Sequence, residues 1–536
     1  MSGLILTTAR ARAWATAPAL SFRHAALALV AVYVVYLVPV LLVRNPPLHD
    51  YMFHVARIHI LTHWQGSSAL QTHYVVGSFI LPNIAFDVIT VLLTQVMPLE
   101  LAGRVFIGLT LALQLSGCMA LYRILQGRYG LWPLASGLFL YNWIFLFGFL
   151  NYLFGVGLLL WATAIWIGLA DSASMGVKLL CGTALSLALF FSHLIACGLF
   201  AVIVAGYEIQ CALPMLRHQR ARAFRNLLVG ASIFIVPIGL FFISSTAAEA
   251  SNKTSHSLVN LLRTPPIFVR ALLSGDYLVD FVSLAAIVAC LGILIGRGRL
   301  IVARPMVLPL ILLVLSFLVM PHELFGGWGA DTRIPVVIVF VFIAAVQPML
   351  RDRWWDTAFV AILAGATLVQ SAVRSYDWIG YDAVIQEFRA AFTALPAHSV
   401  LLIASETEVP SFQDVNLRLW QPPLPHVATA AVLEGRDIFV PDTFAHAGQQ
   451  PITVTAPYRA LYQYQINKPF EVATTEALQG FISHAQQLLA DVQSTDPVFV
   501  LLLYPERFHL ALPAHTAVVA STSRSQLLAV ERPVTP

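Results

Sequence analysis

The 536-residue sequence is poor in charge. Asp, Glu, Lys and Arg make up 11% of it, against about 25% in an average soluble domain. That shortage excludes an ordinary soluble enzyme and a disordered chain. Cysteine is scarce too, with five in all: Cys118, Cys181, Cys197, Cys211 and Cys290. No CxxC spacing occurs and no cysteine follows Cys290. A disulfide scaffold is excluded, and the rear of the chain would meet no redox problem in an oxidising compartment. A P-loop, a GxGxxG run, an internal repeat and a low-complexity tract are also lacking. What is present is apolar: 58% of residues are hydrophobic and the mean hydropathy is +0.78. A chain this long and this apolar reads as a polytopic α-helical membrane protein.

The net charge of +4 hides a division. From Arg374 to the end there are nine basic and fifteen acidic residues, leaving 22 and 12 for the rest. Residues 1–373 therefore read as a transmembrane domain with basic loops, and residues 374–536 as a soluble, acidic, extracytoplasmic α/β domain. Apolar runs of span length fall at about 25–43, 76–97, 105–122, 131–148, 152–170, 179–203, 226–244, 278–296, 305–320, 334–350 and 357–373, about eleven helices. Arg10, Arg12 and Arg23 precede the first run, which lacks a cleavage site and reads as a retained helix. With the N-terminus in the cytoplasm, alternation puts three basic clusters inside: Arg217 to Arg225, Arg297 to Arg304, and Arg351 with Arg353. The 44–75, 245–277 and 321–333 loops and the C-terminal domain then lie outside. In that domain, 381–395 and 475–492 have helical spacing. The runs 399–404, 497–504, 515–520 and 526–530 suit strands, and the Pro-rich 420–426 and 450–451 suit loops.

The loop after the first span is the richest in chemistry. His49 and Asp50 open a helix that runs to about Trp64 and also carries His54, Arg57, His59 and His63. Three readings of Asp50 stand side by side. It can be the N-cap of that helix. It can be a carboxylate base beside imidazoles at the water–lipid boundary. With His49 and His54 it can hold a divalent metal. Asp87 sits about mid-span in 76–97, where an ionisable group is costly and marks a functional candidate or an interhelical tie. His193 lies among Phe190, Phe191 and Leu194 and reads as a packing histidine or a ligand. The connector at 321–335 gathers Glu323, Asp331 and Arg333 around glycines that admit close approach of a ligand. Arg333 suits a phosphate, or pairs with Asp331 across a turn. These two outer stretches are expected to meet around an outward-opening cavity. The 245–277 loop adds Lys253, Arg263, Arg270, Asp276 and a sequon at Asn252.

The acidic residue opening the first outer loop, the Leu81, Pro82 and Asn83 start of the next run, and the short turn from Pro98 to Arg104 carry a resemblance. Over about residues 25–125 the sequence resembles the GT-C class of integral-membrane glycosyltransferases, and beyond that the layout is similar. The class usually has an Asp-Glu or Asp-x-Asp where this chain has His49 and Asp50. The resemblance implies a polyprenyl-phosphate-linked sugar donor, inversion at the sugar, and a catalytic role for Asp50. Apart from the resemblance, substrate contacts are expected from His49, His54, Arg57, Asp87, Glu323, Asp331 and Arg333. A divalent metal is possible on that likeness, but the second acidic residue is missing. The segments 148–157 and 190–198 are similar to uncharacterised bacterial multi-span proteins.

Three functions compete. The first is a glycosyltransferase of the bacterial inner membrane, acting on a glycan, lipid or protein acceptor at the outer face. The second is a non-catalytic subunit of an envelope polysaccharide assembly system, with envelope-assembly proteins as partners. The third is a transporter or flippase of lipid-linked substrates, which calls for paired halves. Nucleic acid is not an expected partner, because the basic residues sit in short inner loops as topology requires.

Overall fold

Long apolar runs form helices because lipid leaves every backbone N–H and C=O to be satisfied within the segment. The computed structural model describes residues 20–170, 173–250, 264–325, 327–350, 353–406, 424–465, 470–503 and 510–531. Among them, eight helices are long and apolar enough to cross a membrane. They are Phe22–Leu42, Leu99–Gln126, Leu150–Gly168, Met175–Ser192, Leu194–Met215, Arg220–Ile243, Tyr277–Gly296 and Trp354–Phe392. Val307–Val319 and Ala330–Ala345 are shorter, and β2 (Gly298–Val302) pairs antiparallel with β3 (Val346–Leu350), the strand in which the 334–350 run ends. The 252–254 sequon, Arg263 and Arg351 lie outside the described residues.

Three expected spans come out differently. The run 76–97 yields only the nine-residue helix Ala85–Leu93, too short to cross at 1.5 Å per residue. Asn83 before it has φ +77, and residues 74–76 are a strand. The run 131–148 becomes the 3-10 helix Trp132–Phe139 and the short helix Trp143–Phe147. Most of that stretch is buried, and irregular backbone is tolerated at depth only where protein surrounds it. The run 179–203 is not one helix. Met175–Ser192 and Leu194–Met215 are separated by His193 at φ −169°, ψ 129°. Gly155, near the start of Leu150–Gly168, lies against Ser192, His193 and Ala196, where those two helices meet.

By internal contacts the chain forms two compact units. The first holds Met1–Leu41, Ile107–Phe145 and Phe149–Ser375. Small residues set its close helix approaches: a Cβ on Gly157 would lie 2.6 Å from the Leu113 Cβ, and one on Gly117 would lie 2.9 Å from the Leu160 Cβ. Gln114 Nε2 donates to the Leu153 carbonyl at 3.0 Å in the same seam. Small side chains and polar cross-links are what hold helices together where lipid is as apolar as leucine.

The second unit holds Leu42–Phe106, Leu146–Gly148 and Tyr376–Pro536. It joins residues 42–106 to the acidic C-terminal region. Strand β1 (Tyr74–Val76) pairs antiparallel with β5 (Ile452–Val454). Asp382 accepts the backbone N–H groups of Arg44 and Asn45, and Arg389 bonds both Glu100 and Glu434. A five-stranded sheet has the order β6 (Phe470–Glu471), β4 (Val400–Ser405), β7 (Val498–Leu503), β9 (Ser525–Val530), β8 (Thr516–Ser521). Strands β4 and β7 are parallel and buried throughout, as their continuous apolar runs require. Helix Thr475–Asp491, capped by Thr474, buries Leu478, Phe481, Ile482, Ala485 and Leu489 along one face. The acidic region is therefore a sheet-containing α/β domain.

Candidate catalytic and phosphate-binding residues

Asp50 precedes the helix Tyr51–His63, yet its carboxylate caps nothing: the residue has φ −90°, ψ 0° and makes no side-chain cap bond. The chain end is tied by backbone instead. His49 N–H donates to the Leu146 carbonyl and Asp50 N–H to the Phe147 carbonyl, both at 3.0 Å. Gly148 closes this contact at φ +95°, and a Cβ there would lie 2.8 Å from the Asp50 nitrogen. The carboxylate is thereby released from capping. Its Oδ1 is 2.9 Å from His49 Nδ1, and its side chain is 23% exposed. Burial first, and then His426, lower the His49 pKa against the pull of Asp50. A neutral His49 carrying its proton on Nδ1 donates to Asp50 and leaves the second carboxylate oxygen for another partner.

His54, Arg57 and Asp87 sit beneath this end of the unit. His54 Nε2 donates to the Gly148 carbonyl at 3.1 Å, and Arg57 Nη2 donates to His54 Nδ1 at 2.8 Å. Arg57 grips both oxygens of Asp87, through Nε on one and through Nη2 at 3.2 Å on the other. Arg57 and Asp87 are buried to 1% and 0%. His54, Arg57 and Asp87 bond one another and the Gly148 carbonyl, with buried Arg57 Nη1 left without a hydrogen-bond partner, and their contact with substrate stays an expectation. Burial foremost and the Arg57 charge next push the His54 pKa down to about 4, against Asp50, Asp87 and the Gly148 carbonyl. Both His54 nitrogens are engaged, so the metal reading with His49, Asp50 and His54 does not fit. Among the described residues no group of three or more His, Cys, Asp or Glu could hold a metal ion. His59 and His63 stack at 4.2 Å further along the helix. Burial, then His63, lowers the His59 pKa to about 4.

The first compact unit holds the other candidates. Asp331 opens the helix Ala330–Ala345 and bonds His322 Nδ1 at 2.8 Å and the Thr332 N–H at 2.8 Å. Glu323 is exposed. Arg333 stacks its guanidinium on the Phe149 ring at 4.3 Å and donates to the Trp328 carbonyl at 3.0 Å. Its Nη1 lies 3.4 Å from His193 Nε2. His193 is the N-cap of Leu194–Met215, and its Nδ1 accepts the Ile195 N–H at 3.1 Å. A neutral ring that accepts on Nδ1 carries its proton on Nε2. Two donors from two helices, His193 at the start of Leu194–Met215 and Arg333 in Ala330–Ala345, therefore stand side by side, an arrangement suited to an acceptor that is an anion. The 44–64 and 321–335 stretches belong to different compact units, so their common cavity stays an expectation.

Sequence reasoning missed His426 and Asp442. His426 lies in the 3-10 helix Leu424–Glu434, inside a Pro-rich run read as loop. Its ring meets that of His49 at a centroid distance of 4.5 Å. Gly148, Phe149 and Tyr152 fall in the 148–157 segment, to which the sequence alone assigns no role.

No protein-family profile matches the chain, and no curated protein matches it in sequence. Among solved structures it is similar to ArnT from Cupriavidus metallidurans bound to undecaprenyl phosphate. That match has a TM-score of 0.52 and 12% identity, covering 95% of this chain and 98% of the other. The same protein in its apo state aligns at 11% identity over 94% and 97% of the two chains, with a TM-score of 0.49. At this identity the likeness speaks for architecture: a multi-span helical chain with a sheet-containing C-terminal domain, in a GT-C-like fold.

Proposed function

We propose that the protein is an inverting membrane glycosyltransferase. It moves a sugar from a polyprenyl-phosphate donor to a hydroxyl of an envelope glycan, lipid or protein at the outer face of a bacterial inner membrane. The observation that carries this reading is the Asp50 carboxylate, uncapped, partly exposed and held on one oxygen by His49. Asp50 takes the proton of the acceptor hydroxyl. The acceptor oxygen forms a bond to the anomeric carbon as the anomeric carbon–oxygen bond to phosphate breaks. The electron pair of that bond leaves with the polyprenyl phosphate, and the proton stays on Asp50 until water removes it.

The donor class has its own support. Arg333 and His193 present two donors that suit a phosphate, and ArnT of similar fold has been crystallised with undecaprenyl phosphate. Glu323 and Asp331, with His322 on Asp331, are proposed to line the approach to that pair.

The test uses purified full-length protein in nanodiscs with a panel of undecaprenyl-phosphate-linked pentoses and hexoses, reading release of undecaprenyl phosphate. Asp50→Asn keeps the size and loses the basic oxygen. Turnover is expected to fall about a hundredfold or more with an unchanged melting midpoint, because no cap bond is lost. An Asn variant that turns over like wild type would sink the role of Asp50.

A further inference from the structure

A second imidazole–carboxylate pair stands behind the first. His426 Nδ1 is 3.0 Å from Asp442 Oδ2. The pairs meet through their rings, His49 edge-on to His426 at 84° with centroids 4.5 Å apart. Phe53, on the helix that follows Asp50, covers His426 at 4.3 Å and stacks on Phe444 at 5.7 Å. On another contact the His49 ring meets Phe147 at 4.6 Å. Side-chain exposure declines along the series, from 23% at Asp50 and 11% at His49 to 4% at His426 and 1% at Asp442. Only the first carboxylate meets solvent to any extent. All of these residues belong to the same compact unit.

A carboxylate buried as far as Asp442 is kept only where it is paired. Its pairing fixes the His426 tautomer, with the proton on Nδ1, and fixes the plane of the ring. That plane is one of the walls against which His49 rests. The His49 ring sets where its Nδ1–H points, and so which Asp50 oxygen is held. An acid–base group oriented by a second residue, itself anchored by a third, is the logic of catalytic triads on many folds.

We propose that His426 and Asp442 are positioning residues for the Asp50 carboxylate, acting through the His49 ring. The proposal rests on Asp50 being the base. It assigns to the C-terminal region a share in the chemistry, through a segment whose sequence reads as loop.

Two readouts test it. The first is turnover in the nanodisc assay with the undecaprenyl-phosphate-linked sugar panel. His426→Phe keeps a ring against Phe53 and His49 but lets go of Asp442. The double variant His426→Phe, Asp442→Leu removes both partners and leaves no orphaned buried charge. In both, kcat is expected to fall about 10- to 100-fold, the cost of a base misplaced by about an ångström. KM for the donor stays within about twofold of wild type, since only the base is disturbed. Asp442→Asn, whose amide oxygen accepts the same bond, restores most of kcat; Asp442→Ala does not. In an Asp50→Asn background His426→Phe adds no further loss, because it acts through Asp50. The second readout is the nitrogen NMR spectrum of the histidine rings in the full chain. The His49 Nδ1–H signal is expected to shift or broaden in His426→Phe and to return in Asp442→Asn.

Wild-type kcat in the double variant, a loss of kcat that only follows the melting midpoint, or an additive loss in the Asp50→Asn background would each overturn the proposal. An unchanged His49 signal overturns it whatever the sugar panel yields. Failure of the base reading looks different: Asp50→Asn itself then keeps full turnover.

Discussion

Asp87 and Arg57 lie 30 residues apart and meet in a pair that no solvent touches. Alone in the sequence, Asp87 looks like a costly group within a span, and Arg57 like one of several polar residues on a surface helix. Together they fix the helices Ala85–Leu93 and Tyr51–His63 to each other beneath Asp50. A buried ion pair is fragile on one side only. Removing one partner strands the other charge, at about 3–5 kcal/mol, whereas replacing both by apolar groups can be nearly neutral. Asp87→Asn should therefore lower the melting midpoint by several degrees, with turnover lost in step with folding. Arg57→Met combined with Asp87→Leu should recover much of the midpoint. A thermally normal Asp87→Asn variant with selectively lost turnover would place Asp87 at the substrate. His54 follows the same logic at lower cost: its two nitrogens serve Gly148 and Arg57.

Gly148 turns a chain reversal into a catalytic constraint. At φ +95° a side chain is strained, and a Cβ would press on the Asp50 nitrogen at 2.8 Å. Gly148→Ala is expected to displace Asp50 and cut kcat about tenfold or more, since about an ångström of misplacement can cost about a hundredfold. Gly198→Ala is the control: it sits in the Leu194–Met215 helix with nothing near its Cβ direction. Turnover should be unchanged there; equal losses in both variants would mean that Gly148 has no special part. The same scale explains what the sequence disclosed. Runs with a steady apolar period at 25–43, 152–170 and 278–296 correspond to helices, as do 399–404 and, over Val498–Leu503, the run 497–504 to strands. The break at His193 was invisible because neither Pro nor Gly marks it, and the imidazole itself caps the next helix. The run 76–97 deceived because hydropathy cannot tell a strand that pairs with β5, some 380 residues later, from the start of a span. His426 and Asp442 were out of reach for the same reason. No spacing rule links residue 49 to residue 426.

The altered spans bear on sidedness, which the fold alone leaves open. The run 76–97 does not cross, and 179–203 becomes two helices of 18 and 22 residues. If the irregular 131–148 stretch still crosses, one crossing is removed and one is added, and the parity expected from the basic clusters at 217–225, 297–304 and 351–353 is kept. Loops between the two changes swap sides. On that path residues 127–130 are expected on the inner face, and residue 148 on the outer face with Asp50. Arg123 and Arg128 then join the cytoplasmic side. So does Lys178, whose ammonium bonds Glu208 at 2.8 Å beside the Trp166 ring. Short loops rich in Lys and Arg stay inside, so the revised path fits the charge rule at more positions than the sequence alone suggested. Helix Arg353–Phe392 then runs outward for 40 residues. Its exposed aromatics Trp354 and Tyr376 are 22 positions apart, about 33 Å of helix, close to the thickness of a hydrocarbon core. Trp and Tyr concentrate at the two interfaces. Reporter fusions after Arg128 and Arg222 should read cytoplasm, and one after Gly380 should read periplasm. The Arg128 fusion is decisive for the revised path, because counting 76–97 as a span places that loop outside. A periplasmic signal there would restore 76–97 as a crossing helix and put residues 146–148 on the face opposite Asp50, against the backbone bonds that join His49 to Leu146 and Asp50 to Phe147.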